Sequence, residues 1–263
     1  MRFAPTTKTQ EDVHHRPVDF PSIPVIIAFI PSFALLSGEN LLSRVRERGS
    51  MFGTTMWMTT GTANVFLASL FFAAVPQTPD SRLIESARQG HTESVVELLA
   101  SGAEVNVKDE GWTALMMAAY GGYSTTVRVL LDGDADVSER NLFGSTALTH
   151  AAMTGHTTTV KLLVEAGAQV NARDRFGWTP LMRSVTQGHP ETVKLLADAG
   201  AQVDERDNFG WTVLMRATLQ GQAGSVKALI EAGADVNLKD QSGGRTALTY
   251  ALSGGYAEAV ELL

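Results

Sequence analysis

Asp174-Arg175-Phe176-Gly177-Trp178-Thr179-Pro180-Leu181-Met182 decides the fold, because most of it returns along the chain. Its core, Gly177 to Met182, reappears as Gly111-Trp112-Thr113-Ala114-Leu115-Met116 and as Gly210-Trp211-Thr212-Val213-Leu214-Met215. Gly144-Ser145-Thr146-Ala147-Leu148-Thr149 is a variant copy in the remaining interval. Thr113, Thr146, Thr179 and Thr212 are 33 residues apart, and Thr246 follows after 34. A fixed period in this range marks a solenoid, in which each unit buries its apolar face only against its neighbours. The interior is thereby committed to stacking, and function has to reside on the surface.

Each unit has the same internal order. A Thr-x-Leu segment leads into a short apolar helix, such as Ala114 to Tyr120 or Pro180 to Thr186. A glycine follows (Gly90, Gly122, Gly155, Gly188, Gly221, Gly255) and suits a left-handed turn between two helices. The second helix carries apolar residues at helical spacing, for example Val160, Leu163 and Val164. Pro190 falls just inside a helix start, where its missing N–H costs nothing. Gly-Ala-x-Val-Asn/Asp closes the unit, as in Gly167 to Asn171 and Gly200 to Asp204, and an Asp-x-Phe-Gly or related turn opens the next.

These residues closely resemble the ankyrin repeat, a β-turn finger followed by two antiparallel helices. The resemblance covers Asp80 to Leu263, about six units: 80–108, 109–140, 141–173, 174–206, 207–239 and 240–263. It implies an all-α solenoid of helix-turn-helix units that binds another protein through fingers and groove, with no catalysis, cofactor or metal. The family's His after Thr-x-Leu is here Met116, Thr149, Met182, Met215 or Thr249, so His-centred bonding in the finger is lost. Asp109-Glu110-Gly111 is one residue short and Gln241-Ser242-Gly243-Gly244 one long. The first unit (Ser81 to Asn106) lacks the Thr-x-Leu start and reads as a cap. The last stops mid-helix by the family pattern, which predicts self-association or fraying through the C-terminal repeat.

Charge excludes one class of partner. From Asp80 onward there are 23 acidic and 15 basic residues, a net of −8, and such an array does not suit a phosphate backbone. Without cysteine there are no disulfides, thiol nucleophiles or zinc-thiolate sites. Gly-x-Ser-x-Gly, His-Glu-x-x-His and Gly-x-x-x-x-Gly-Lys are absent. His91, His156 and His189 all follow the mid-repeat glycine and lie too far apart for a common metal. Asp134 occupies the slot held elsewhere by Gly102, Gly167, Gly200 and Gly233, and reads as a left-handed aspartate rather than a calcium ligand.

Residues before the array read differently. Residues 1–50 form a poorly structured extension, and 51–79 a signal peptide or membrane anchor with a linker. The run Asn64 to Val75 has signal-peptide length, with Arg44, Arg46 and Arg48 on its N-terminal side. Its distance from Met1 suits a start nearer Val45 or Met51. Two expectations follow: a bacterial-type exported, periplasmic or secreted protein that begins between Ala74 and Asp80, or a chain anchored in a membrane through 53–75.

Two columns of side chains are the candidate site. Phe143, Phe176 and Phe209 recur three residues before Thr, and Trp112, Trp178 and Trp211 one before. They either pack to stiffen fingers that lost their His, or contact a partner, since aromatic residues are enriched in hot spots. His150, Arg183, Arg216 and Tyr250 share a slot with Met117, and by family geometry this column faces the concave groove. Its arginines either support the Trp rings or clamp an acidic or planar group on a partner. The runner-up to a binding module is a non-catalytic stabilising accessory of the cell envelope whose aromatics are internal.

Overall fold

A computed structural model describes residues 78–263, which form twelve helices in six antiparallel pairs. The first helices of the pairs are α1 (Pro79–Gln89), α3 (Ala114–Gly121), α5 (Ala147–Thr154), α7 (Pro180–Thr186), α9 (Val213–Leu219) and α11 (Ala247–Gly254). The second helices are α2 (Thr92–Ala100), α4 (Ser124–Asp132), α6 (Thr157–Glu165), α8 (Pro190–Asp198), α10 (Ala223–Glu231) and α12 (Ala257–Leu262). First helices pack on first helices and second on second, so two rows run along the array, the inner one carrying the fingers. The outer row buries Val and Leu three residues apart on one face: Val127 with Leu130, Val160 with Leu163, Val193 with Leu196, and Val226 with Leu229.

Threonine starts the inner helices. The side-chain oxygens of Thr113, Thr146, Thr179, Thr212 and Thr246 accept the amide three residues on, one of those a helix start leaves without a partner. Two solutions replace the missing histidine. Thr149 and Thr249 return a hydroxyl bond to the cap amide and close a capping box. Met116, Met182 and Met215 instead fill the core. Thr78 caps α1 in the same way, with Pro79 in the first turn. The first unit still lacks Thr-x-Leu, since Asp80 stands in the Leu position, but it has a Thr-Pro cap, and its helix begins one residue ahead of the expected start of the array at Asp80.

The mid-repeat glycine is needed twice over. Gly122 and Gly155 sit at φ +72° and +74°, and a β-carbon on either would collide with the imidazole of His156 or His189 in the following repeat. Those two histidines are thus packing pieces laid over the preceding turn. Asp134 is held at φ +63° without such crowding in its slot: a β-carbon at the equivalent Gly102, Gly167, Gly200 or Gly233 meets nothing within 4 Å. Backbone strain is then the main cost, and Asp134→Gly should stabilise the array by about 0.5–1 kcal/mol. A urea midpoint that rises is the expected result; an unchanged or lower one would show that Asp134 is not strained.

The short finger of the second repeat closes on itself. The amides and carbonyls of Asp109 and Trp112 bond reciprocally at 3.0 and 2.8 Å, with Glu110 at φ +48° and Gly111 at +86°. Two left-handed central residues make the tight hairpin turn that matches strand twist, which explains how this finger manages with one residue fewer. The expectations placed on residues 1–77, including export or anchoring through 53–75, lie outside the described residues. Among the described residues no helix is long and apolar enough to cross a membrane.

Candidate functional site: the finger row

In repeats 3 to 6 one buried residue organises each finger: Asn141, Asp174, Asp207 and Asp240. The Oδ1 atom of each accepts two backbone amides at 2.8–3.1 Å: Phe143 and Ser145, Phe176 and Trp178, Phe209 and Trp211, Gly243 and Arg245. A side chain that satisfies two finger amides fixes the turn without help from a neighbouring strand. In the sequence these residues read only as turn formers. The signal was present, since Asn141, Asp174 and Asp207 each precede the capping Thr by five residues.

The other side-chain atom of each organiser faces the inner helix. Asn141 Nδ2 donates to His150 Nε2 at 3.1 Å, and Asp174 Oδ2 accepts from Arg183. Asp207 Oδ2 accepts from Arg216 through Nε, at 2.8 Å, and through Nη2. Asp240 Oδ2 accepts from the Tyr250 hydroxyl at 2.5 Å and from Ser242. The column His150, Arg183, Arg216 and Tyr250, set by family geometry on the groove side, is therefore tied to the fingers by these bonds. It turns back to hold the fingers, because each organiser keeps one buried polar atom that requires a partner.

The tryptophans complete this seam. Trp112 stacks on His150, ring centres 4.3 Å apart. Trp178 lies between the guanidiniums of Arg183 and Arg216, 4.5 and 5.0 Å from its ring centre. Trp211 lies between Arg216 at 4.5 Å and the Tyr250 ring at 4.9 Å. Each ring is half-buried between a column residue of its own repeat and that of the next, or the next alone for Trp112. Ser145 stands where repeat 3 would have its ring.

Phenylalanine does the opposite. Phe143, Phe176 and Phe209 are 52%, 40% and 61% exposed, and Leu142 beside them 59%. Their backbone is nevertheless fixed from finger to finger: Phe143 O accepts from Arg175 N at 2.9 Å, and Phe176 O from Asn208 N at 3.2 Å. The aromatic ladder thus divides into an inner Trp row and an outer Phe row. Among the described residues no group of three or more His, Asp or Glu is placed to hold a metal ion.

Burial, reinforced by the positive charge of Arg183, pushes the pKa of His150 down to about 3. Because Asn141 Oδ1 already takes two amides, its Nδ2 faces the ring, and His150 is neutral with its proton on Nδ1. Burial, then the hydroxyl's bond to Asp240, raises Tyr250 to about 12. Burial alone would raise Asp240, but the Tyr250 hydroxyl and the amides of Gly243 and Arg245 outweigh it and hold this carboxyl well below its usual range. A depressed His pKa means that the unfolded chain takes up a proton the folded one refuses. Stability attributable to His150 is complete above pH 6.5 and is lost as pH falls towards 3, at up to about 1.4 kcal/mol per pH unit. Urea titrations from about pH 7 to 4.5 should show this slope in the parent and lose it in Asn141→Asp/His150→Arg, which copies repeats 4 and 5. Equal slopes in the two proteins would show that His150 titrates normally.

A family model described as "Ankyrin repeats (3 copies)" matches residues 83–174, 132–207, 167–240 and 202–263, together most of the chain. The chain belongs to the ankyrin-repeat family. Ankyrin arrays are protein-interaction modules, in keeping with fingers that are braced from behind and apolar at the tip. A human protein named "Mitochondrial disaggregase" is 40% identical over 75 residues, 28% of this chain and 11% of that protein. The "Ankyrin repeat and KH domain-containing protein mask-1" of Caenorhabditis elegans is 44% identical over 63 residues, 24% of this chain and 2% of its own length. The matched stretch is thus a small part of either relative, about two repeats long.

Proposed function

We propose that this ankyrin array binds another protein through the fingers of repeats 3 to 5. Phe143, Phe176 and Phe209 are the anchors, and the Trp-Arg-His-Tyr seam behind them is the rigid backing. One observation carries this reading: three exposed phenylalanines stand in register, 33 residues apart, on fingers whose backbones are hydrogen-bonded to one another. Exposed apolar clusters on otherwise polar surfaces mark interaction sites, and anchors on a rigid scaffold lose little entropy on binding. The envelope-accessory reading, with internal aromatics, suits the half-buried Trp row but not the Phe row. The array acts without chemistry of its own.

The test is photo-crosslinking with benzophenone-bearing residues at position 176 and, as control, at position 165 on the outer helix. Adducts at 176 that vanish in Phe143→Ser/Phe209→Ser, with unchanged thermal stability, are the expected result. Adducts confined to 165 would move the site to the outer row.

Two further parts of this reading concern placement and assembly. Export or anchoring is supported by the apolar run Asn64 to Val75 and the arginines ahead of it. Cleavage that preserves the Thr78 cap must fall before that residue, so N-terminal sequencing that returns an intact Met1 from the cytosol would oppose export. Self-association through the last repeat is supported by Leu248 and Leu252 of α11, 37% and 62% exposed. Sedimentation independent of concentration would oppose that.

A further inference from the structure

The finger row differs in charge from the rest of the array. Outside the finger segments 108–112, 139–145, 173–178, 205–211 and 239–245, and Arg183 and Arg216 behind them, the array carries 16 carboxylates against 6 cations. On the fingers themselves the balance is even, but the two signs are not equally available. From repeat 3 onward the finger carboxylates are neutralised or withdrawn: Asp174, Asp207 and Asp240 are buried, Glu139 pairs with Lys108, and Glu205 pairs with Arg173. Arg140, Arg175, Lys239 and Arg245 are exposed, and none makes an ion pair among the described residues. Arg175 directly precedes Phe176, and its amide is bonded to the Phe143 carbonyl, so cation and anchors share one edge.

We infer that the fingertips take an acidic, extended segment of another protein, one whose apolar side chains recur at every third residue. This deepens the fingertip reading above and rests on it. The apolar anchors supply contact area, and the unpaired arginines supply sign. A basic or neutral segment would find the same phenylalanines but face uncompensated cations, whereas an acidic one is steered towards them. The spacing follows from helix packing. Neighbouring repeats are about 10 Å apart, the distance at which helices pack. A chain in the polyproline II form advances about 3.1 Å per residue with three residues per turn, so side chains three residues apart lie on one face and meet consecutive fingers. The acidic outer side of a second copy has the right sign but presents helix surface rather than an extended edge. Nucleic acid and anionic lipid also have the right sign, but each would meet an array whose other surfaces repel it.

Selection of a random 16-residue peptide display library on the immobilised full chain tests this. Enriched peptides should be net acidic with apolar residues at i, i+3 and i+6. Their binding should weaken at least tenfold in Arg140→Glu/Arg175→Glu/Arg245→Glu, and fall as NaCl rises from about 50 to 300 mM. Loss in Phe143→Ser/Phe176→Ser/Phe209→Ser separates the two levels of the reading. If enriched peptides need the phenylalanines but are basic or uncharged, or ignore the charge reversal, the acidic-partner inference fails while the fingertip site stands. If acidic peptides bind the serine variant like the parent, or nothing enriches, both fail. Phosphatidylserine vesicles or a 20-nucleotide single strand retained through the same arginines more tightly than the peptides would also overturn the inference.

Discussion

Replacing Asp207 with alanine is expected to destabilise the array by about 3–5 kcal/mol, the range for removing one partner of a buried ion pair. The Asp207 side chain is fully buried and that of Arg216 is 12% exposed, so the charges are poorly screened by solvent. Without the carboxylate, Arg216 stays packed over Trp178, Trp211 and Phe209 with no counter-charge. The amides of Phe209 and Trp211 lose their acceptor as well, at about 1–3 kcal/mol for each that water cannot reach. Arg216→Ala should cost less, because the remaining carboxylate keeps those two amides. The double variant Asp207→Asn/Arg216→His would copy the Asn141–His150 pair of repeat 3 and recover much of the loss. Urea unfolding of the parent, the two alanine variants and Asp207→Ala/Arg216→Ala gives the coupling directly. A single Asp207→Ala midpoint within about 1 kcal/mol of the parent would show that the pair behaves as an exposed one.

That pair also shows where the sequence stops being legible. The period, the Thr caps and the left-handed glycines were readable because each is a local requirement stated again in every repeat. Asp134 was readable for the same reason, as an exception in a slot otherwise held by glycine. The organisers were not, because their role lies in a contact between a finger and a helix nine or ten residues further on. Repetition encodes this contact too: Asn141 goes with His150, Asp174 with Arg183, Asp207 with Arg216, and Asp240 with Tyr250. An amide meets an imidazole, and a carboxylate meets a cation or a phenol. Taken singly, Arg183 and Arg216 read as supports for the Trp rings or as a clamp for a partner, and neither reading includes the bond to the organiser.

The two aromatic columns read as one in the sequence for a stereochemical reason. Phe and Trp lie two residues apart, and in a strand such residues share a face. Between them stands a glycine at positive φ, Gly177 or Gly210, at +75° and +78°. That left-handed residue reverses the chain, so the ring before it goes out to solvent and the ring after it goes back into the seam. Thr78-Pro79 falls inside the span read as a mature start, Ala74 to Asp80, although it repeats the Thr179-Pro180 pair that caps α7.

Because the rings divide in this way, Trp178→Ala and Phe176→Ala should have opposite consequences. Trp178 is half-buried between two guanidiniums, and its removal opens a gap on a seam shared by repeats 4 and 5. Full truncation of a core Trp costs about 3–5 kcal/mol, so partial exposure brings the expectation to about 2–4 kcal/mol. Part of that is the attraction of Arg183 and Arg216 for the ring face, about 0.5–2 kcal/mol each. Phe176→Ala removes a ring that is 40% exposed at the tip of a finger still held by Asp174. Its stability should change by less than about 1 kcal/mol, while partner affinity falls by about 1–3 kcal/mol. Thermal or urea unfolding measures the first quantity and titration with a crosslinked or selected partner the second. A Trp178→Ala protein as stable as the parent but unable to bind would put the tryptophans, not the phenylalanines, at the contact. The seam would then be the recognition surface itself, and the arginines behind it would have to exchange Asp174 and Asp207 for carboxylates brought by the partner.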